Sequence, residues 1–168
     1  KKSINNSKIL KKLELTPSKY ILISCHREEN VDNEKNFKML IDSLNELASK
    51  YKMPIIFPIH PRTKKIYKNS KLKAHRLVSF IDPLGFIDYN KLQIESFVVL
   101  SDSGTIFEES SILNFRALNI RESHERPEAV EETSVVVTGL KIERILQGIK
   151  IIENQTTGKK RNINLVSD

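Results

Sequence analysis

The chain has 168 residues, which suits one domain able to bury about two-thirds of the surface its unfolded form exposes, so neither a metal nor a disulfide staple is needed. Its formal net charge of +7 comes from lysines scattered along the chain, which argues against a nucleic-acid footprint and suits a small anionic ligand. Cys25 is the one cysteine, which excludes an intrachain disulfide and points to a reducing compartment, and the apolar runs are only strand-sized, so no membrane span or signal peptide is expected and the protein reads as cytoplasmic. The first residue is not Met and the last four, Leu165-Val166-Ser167-Asp168, lack punctuation, so both ends look like cuts in a longer polypeptide.

In residues 3–13, Ile4, Ile9, Leu10 and Leu13 recur among polar positions, which predicts a helix ended by Pro17. Tyr20-Ile21-Leu22-Ile23-Ser24 predicts a buried strand that delivers Cys25-His26-Arg27-Glu28-Glu29-Asn30 at its carboxyl end. Phe37, Leu40, Ile41, Leu44 and Leu47 follow at helical spacing, with Asp32 expected as N-cap. Ile55-Ile56-Phe57-Pro58-Ile59 predicts a second strand in which Pro58 marks the end or an unpaired edge, and it delivers His60-Pro61-Arg62. A short helix around Ile66, Tyr67 and Leu72, a strand at Leu77-Val78-Ser79-Phe80, a turn at Asp82-Pro83-Leu84-Gly85 and a helix capped by Asp88 come next.

Residues 98–126 are the centre of the pattern. Val98-Val99-Leu100 reads as a strand, Ser101-Asp102-Ser103-Gly104 as a tight turn, and Ile106, Phe107, Ile112 and Leu113 as a helix, a unit that aims backbone N–H groups at an anion. Ala117-Leu118-Asn119-Ile120 predicts the next strand, Pro127 the start of a small helix, Ser134-Val135-Val136-Val137 a last strand, and Ile142, Ile145, Leu146, Ile149 and Ile152 a last helix. Strand alternates with helix throughout, so the expected fold is a three-layer α/β domain of about six parallel strands over residues 1–152, with residues 153–168 a polar tail or linker.

Ligands of such sheets bind beyond the carboxyl ends of the strands, where His26-Arg27, His60, Ser103-Gly104-Thr105 and Glu125-Arg126 are expected to meet. Gly104 permits close approach, the N–H groups of Gly104 and Thr105 suit phosphate oxygens, Ser103 adds a hydroxyl, and Arg27 or Arg126 offers a phosphate-matching fork. Glu109, six residues after Ser103, points to the same side nearly two turns on, where a carboxylate suits two adjacent hydroxyls such as those of a ribose. The blander readings stand beside these: Asp-Ser-Gly is a common turn, His26 can simply orient its loop, His60 between prolines is structural, His75 and His124 are surface residues, and Cys25 is packing. No His or Cys pair has metal-ligand spacing, and neither Gly-x-Gly-x-x-Gly nor a Walker loop occurs, so no metal, NAD or ATP is expected.

Five ordered runs, His26-Arg27-Glu28-Glu29-Asn30, Ile59-His60-Pro61, Asp82-Pro83-Leu84, Ser101-Asp102-Ser103-Gly104-Thr105 with Glu108-Glu109, and Arg121 through Glu125-Arg126-Pro127-Glu128-Ala129, resemble the C-terminal half of the non-hydrolysing UDP-N-acetylglucosamine 2-epimerases over nearly all of residues 18–152. The resemblance implies a Rossmann-like, UDP-binding domain that is one half of a GT-B-like enzyme, without a cofactor and with UDP and a UDP-N-acetylhexosamine as partners. It also implies an absent N-terminal domain carrying the acid/base carboxylates, and a homodimer at full length. By that resemblance Ser103, Gly104 and Thr105 match the phosphate-binding turn, Glu109 the ribose carboxylate, Tyr89 the residue beside the uracil and Arg126 a diphosphate-binding arginine. His26, with Arg27, matches the catalytic site near the leaving diphosphate, and His60 and Glu28 are further candidates.

Two positions depart from the family pattern: Thr105 stands where many members have a second glycine, and Leu84 replaces a polar residue found in some. The motif variants resemble the subgroup of capsular or O-antigen sugar synthesis that leads to UDP-N-acetyl-L-fucosamine, which ranks level with a plain UDP-N-acetylglucosamine epimerase. The donor half of a GT-B glycosyltransferase and a non-catalytic UDP-sugar sensor are the competing readings.

Overall fold

The computed structural model describes residues 2–121 and 136–153. The expected strand at residues 134–137 is described as β6 (Val136–Val137), whereas Arg126 and the small helix expected at Pro127 lie outside the described residues. The other strands are β1 (Ile21–Ser24), β2 (Ile55–Pro58), β3 (Val78–Ile81), β4 (Val98–Ser101) and β5 (Ala117–Asn119). All pairings are parallel, and the order across the sheet is β3-β2-β1-β4-β5-β6.

Alternation along the strands builds two cores, because successive side chains leave a strand on opposite faces. On one face Ile21, Ile23, Phe57, Val98 and Leu100 pack with α3 (Glu28–Val31), α4 (Glu34–Tyr51) and α8 (Ile142–Glu153) through Val31, Phe37, Leu44, Ile145 and Ile149. On the other, Leu22, Ile56 and Val99 meet Ile9 of α2 (Ile9–Lys12), Leu92 of α6 (Phe86–Glu95) and Ile106 of α7 (Ile106–Leu113). β1, β2 and β4 are buried along their whole length, as parallel strands covered on both faces must be.

Several local expectations shift for identifiable reasons. The helix over residues 3–13 is two short pieces, α1 (Lys2–Asn5) and α2, because Ser7 interrupts it: its Oγ accepts from Ile9 N at 3.2 Å and donates to Asp88 Oδ1 at 2.6 Å. Asp88, engaged by Ser7, lies in the first turn of α6 and does not cap it, because the helix begins at Phe86 with Gly85 in the N-cap position. Asn33, not Asp32, caps α4, with Oδ1 accepting from Asn36 N at 3.1 Å; Asp32 instead ends α3 and pairs with Arg62 at 2.6 Å. Pro58 is the last residue of a strand flanked on both sides, so of its two readings it marks an end. The helix near Ile66 starts earlier, as α5 (Pro61–Asn69), with Pro61 in its first turn and His60 as the cap.

Candidate functional site

The strand order reverses direction between β1 and β4, which pair in register from Ile21↔Val98 to Ser24↔Ser101. The chain leaves β1 toward α3 and α4 on one face and leaves β4 toward α7 on the other, so the two loops part and open a crevice at the carboxyl edge of the sheet. Cys25, His26 and Arg27 form one lip, and Asp102, Ser103, Gly104 and Thr105 the other.

Asp102 ties the lips together. Its carboxylate, 1% exposed, accepts from His26 N at 3.1 Å, Arg27 N at 2.9 Å, Asn30 Nδ2 at 3.0 Å and the Cys25 thiol at 3.1 Å. Arg27 Nε donates to the Asp102 carbonyl at 2.7 Å, and its Nη2 would lie 3.9 Å from a Cβ placed on Gly104, so the guanidinium overhangs the turn. Burial first, then the charge and hydrogen bond of Asp102, push the Cys25 thiol well above its usual pKa, which keeps it a donor and a poor nucleophile.

The β4 turn is braced from within. Ser103 N donates to Ser101 Oγ at 3.1 Å, Asn119 Nδ2 on β5 donates to Ser103 O at 3.1 Å, and Thr105 N donates to Ser103 Oγ at 3.2 Å. Gly104 is exposed, is not among the glycines with positive φ, and meets nothing closer than Arg27, so nothing in the fold demands glycine there. A residue without a side chain at this point leaves the backbone open to close approach.

α7 begins only at Ile106, which puts Glu109 in the first helical turn, nearer the bend than the expected two turns. Thr105 Oγ1 donates to Glu109 Oε1 at 2.7 Å, and Gln93 Nε2 on α6 donates to Oε2 at 2.8 Å. Tyr89, half-buried one turn before Gln93, has its pKa raised by burial first, eased by a hydrogen bond with Ser24, and raised again by the negative charges of Glu109 and Asp102. Tyr89 and Glu109, both half-buried, thus stand on one side of the crevice, with Gln93 buried behind Glu109.

The remaining candidates sit at its margin. His26 is exposed and is held through its backbone by Asp102. His60 Nδ1 accepts from Arg62 N at 3.3 Å, a capping role, and Glu28 is exposed and pairs with Arg62 at 3.4 Å. Asp102, Asn119 and Gln93 are the residues that sequence reasoning did not assign. Asp102 stood in plain view in the turn motif, but only burial reveals how many donors it collects.

The geometry therefore joins an exposed glycine bend, an overhanging guanidinium and a carboxylate one turn away, at the edge where α/β sheets take nucleotides. Residues 1–166 match the family model described as UDP-N-acetylglucosamine 2-epimerase. A UDP-N-acetylglucosamine 2-epimerase of Methanocaldococcus jannaschii is 36% identical over 147 residues, covering 85% of this chain and 39% of that protein. The chain thus spans about two-fifths of the length of such relatives. The structure of the Rickettsia bellii UDP-N-acetylglucosamine 2-epimerase superposes with TM-score 0.80 at 43% identity, over 96% of this chain and 43% of that one. A M. jannaschii UDP-GlcNAc 2-epimerase in complex with UDP-GlcNAc and UDP does so with TM-score 0.77 at 32% identity, over 92% and 44%. A family match along nearly the whole chain, joined to a fold shared with solved members, means that this chain belongs to the UDP-N-acetylglucosamine 2-epimerase family.

Proposed function

We propose that the chain is the UDP-gripping half of an enzyme that inverts C2 of a UDP-N-acetylhexosamine. The observation that carries this is the placement of Glu109 one turn after Thr105, beside a bend over which Arg27 hangs. In this reading Ser103, Gly104 and Thr105 hold the diphosphate, Glu109 the ribose, Tyr89 lies beside the uracil, and Arg126 adds a second guanidinium. His60 and Glu28 shape the rim through Arg62.

The reaction removes the C2 proton while the C1–O bond breaks and UDP departs, leaving a C1–C2 double bond. A proton then reaches C2 from the opposite face and UDP re-adds at C1. Charge accumulates on the leaving diphosphate, so His26 and Arg27 act by stabilising it, an electrostatic role supported by Asp102, which holds both backbones and, through its carbonyl, the Arg27 guanidinium. The carboxylates that handle the C2 proton belong to the rest of the enzyme, so this domain alone binds UDP without turnover. The full-length enzyme is a cytoplasmic homodimer that supplies surface-polysaccharide precursors, with UDP-N-acetylglucosamine or a UDP-2-acetamido-2,6-dideoxy-hexose on the way to UDP-N-acetyl-L-fucosamine as substrate. The Pseudomonas aeruginosa relative, 29% identical, is a UDP-2,3-diacetamido-2,3-dideoxy-D-glucuronate 2-epimerase, which supports variation in the sugar on a common UDP site.

The test incubates the full-length protein with UDP-N-acetylglucosamine and, separately, the C2 epimer of UDP-N-acetyl-L-fucosamine, a UDP-2-acetamido-2,6-dideoxy-hexose, in D2O, followed by NMR. A C2 epimer carrying deuterium at C2 is expected. Sugar transfer to an added acceptor would favour the glycosyltransferase reading, and binding without reaction of either sugar would favour a sensor.

A further inference from the structure

Gln93 is 1% exposed in a helix whose neighbour Leu92 is core, a position where an apolar side chain satisfies burial with no polar atoms to match. Its Nε2 donates to Glu109 Oε2 at 2.8 Å, while its Oε1 is buried with no hydrogen-bond partner. Exchanging the two ends of the amide would set Oε1 against a carboxylate oxygen, acceptor against acceptor, so the charge on Glu109 dictates the orientation found. The fold therefore leaves this carbonyl without a partner while the N–H end of the amide serves Glu109 and faces the Tyr89 phenol, whose pKa its hydrogen bond eases. Together with the Thr105 hydroxyl on Oε1, this leaves the carboxylate a donor at each oxygen and a fixed plane.

We propose that Gln93 is a positioning residue that fixes the plane of the Glu109 carboxylate and thereby makes the site selective for a ribose with both hydroxyls. The inference rests on the reading of Glu109 as the ribose carboxylate. Each oxygen of a carboxylate accepts more than one hydrogen bond, so Glu109 keeps a lone pair on each side for a hydroxyl of a cis-diol. A carboxylate locked in plane presents the two acceptors at once, and a sugar lacking the 2′-hydroxyl leaves one of them unanswered. A carboxylate free to rotate serves one hydroxyl nearly as well as two, so selectivity falls more than affinity.

The test compares binding of UDP and 2′-deoxy-UDP to the full-length protein by calorimetry, in the parent, Gln93→Leu, Gln93→Met and Glu109→Gln. Thermal melting confirms folding, and neither Gln93 variant is expected to melt lower, because each removes the orphaned carbonyl. The parent prefers UDP, and both Gln93 variants lose about tenfold of that preference, the weight of one hydrogen bond to a charged group. A preference that vanishes in Glu109→Gln but survives intact in either folded Gln93 variant overturns the role of Gln93 alone. A parent that does not distinguish the two nucleotides, with Glu109→Gln binding both as the parent does, overturns the ribose reading beneath it.

Discussion

Arg27 and Asp102 grip each other through two bonds of opposite kind: the Arg27 backbone N–H donates to the Asp102 carboxylate at 2.9 Å, and the Arg27 side chain donates to the Asp102 carbonyl at 2.7 Å. The pair ties together two loops that leave the sheet toward opposite faces. A site assembled from two strand ends needs such a link, because a displacement of about 1 Å between catalytic groups is costly to rate.

Asp102→Ala is expected to be among the most damaging single changes in the chain. It strands the backbone N–H groups of His26 and Arg27 and the Asn30 amide, whose own Oδ1 already lacks a partner. The loss is expected to be about 3 kcal/mol or more, since each stranded buried donor carries a desolvation cost. Thermal unfolding of the full-length protein measures it, and a melting temperature equal to the parent's would mean that Asp102 is not the link described.

Two glycines separate packing from function. A Cβ on Gly148 of α8 would come within 2.8 Å of Thr138 Cγ2 and 2.9 Å of Leu118 Cδ2, both in the core, so Gly148→Ala overpacks and is expected to destabilise by about 1–3 kcal/mol despite the better helix former. A Cβ on Gly104 meets only Arg27 at 3.9 Å, so Gly104→Ala is expected to melt within about 0.5 kcal/mol of the parent and to weaken binding of UDP by narrowing the backbone's approach. Melting curves and UDP titrations of both variants check the pair, and the reverse pattern would contradict both assignments.

Glu109→Ala is expected to leave the domain folded, because the side chain is half-buried, at a cost of about 1–3 kcal/mol for the buried Gln93 amide that it strands. Affinity for UDP should fall by about tenfold or more, the weight of hydrogen bonds to a charged acceptor. Titration with UDP, and with inorganic pyrophosphate as a control that lacks the ribose and so does not engage Glu109, reads the effect. An unchanged UDP affinity in a folded variant would remove the ribose assignment.

Alkaline pH should destabilise the fold. Burial, aided by Asp102, raises the Cys25 thiol, and burial also raises the Tyr20 and Tyr89 phenols, so the folded chain holds these protons more tightly than the unfolded chain. Their contribution is complete below the unfolded values, about 8.5 for the thiol and about 10 for a phenol, and is lost as pH rises through and beyond them. Urea midpoints from pH 7.5 to 10.5 should therefore fall in two stages, and Cys25→Ala should remove the first. A thiol reagent at pH 8 should label Cys25 slowly until urea is added; rapid labelling of the native protein would contradict its burial.

Periodicity in the chain was enough for the alternation of strands and helices, because runs such as Tyr20-Ile21-Leu22-Ile23-Ser24 and the helical spacing from Phe37 to Leu47 are local properties that any observer of the residues can count. The same locality made the turn at Ser103-Gly104 and the nearby Glu109 visible as candidates, and ordered motifs tied them to one family. Helix caps were less legible: Asp32 and Asn33 are both good caps, and Arg62, distant in sequence, recruits the first and leaves the second to α4. Strand order, and with it the position of the crevice between β1 and β4, came only from the tertiary structure, because pairing is decided by contacts between segments far apart in the chain. Gln93 and Asp102 belong to that second class: what each does depends on a partner 16 residues away in one case and more than 70 in the other, and on a burial that turns an ordinary polar side chain into a committed one.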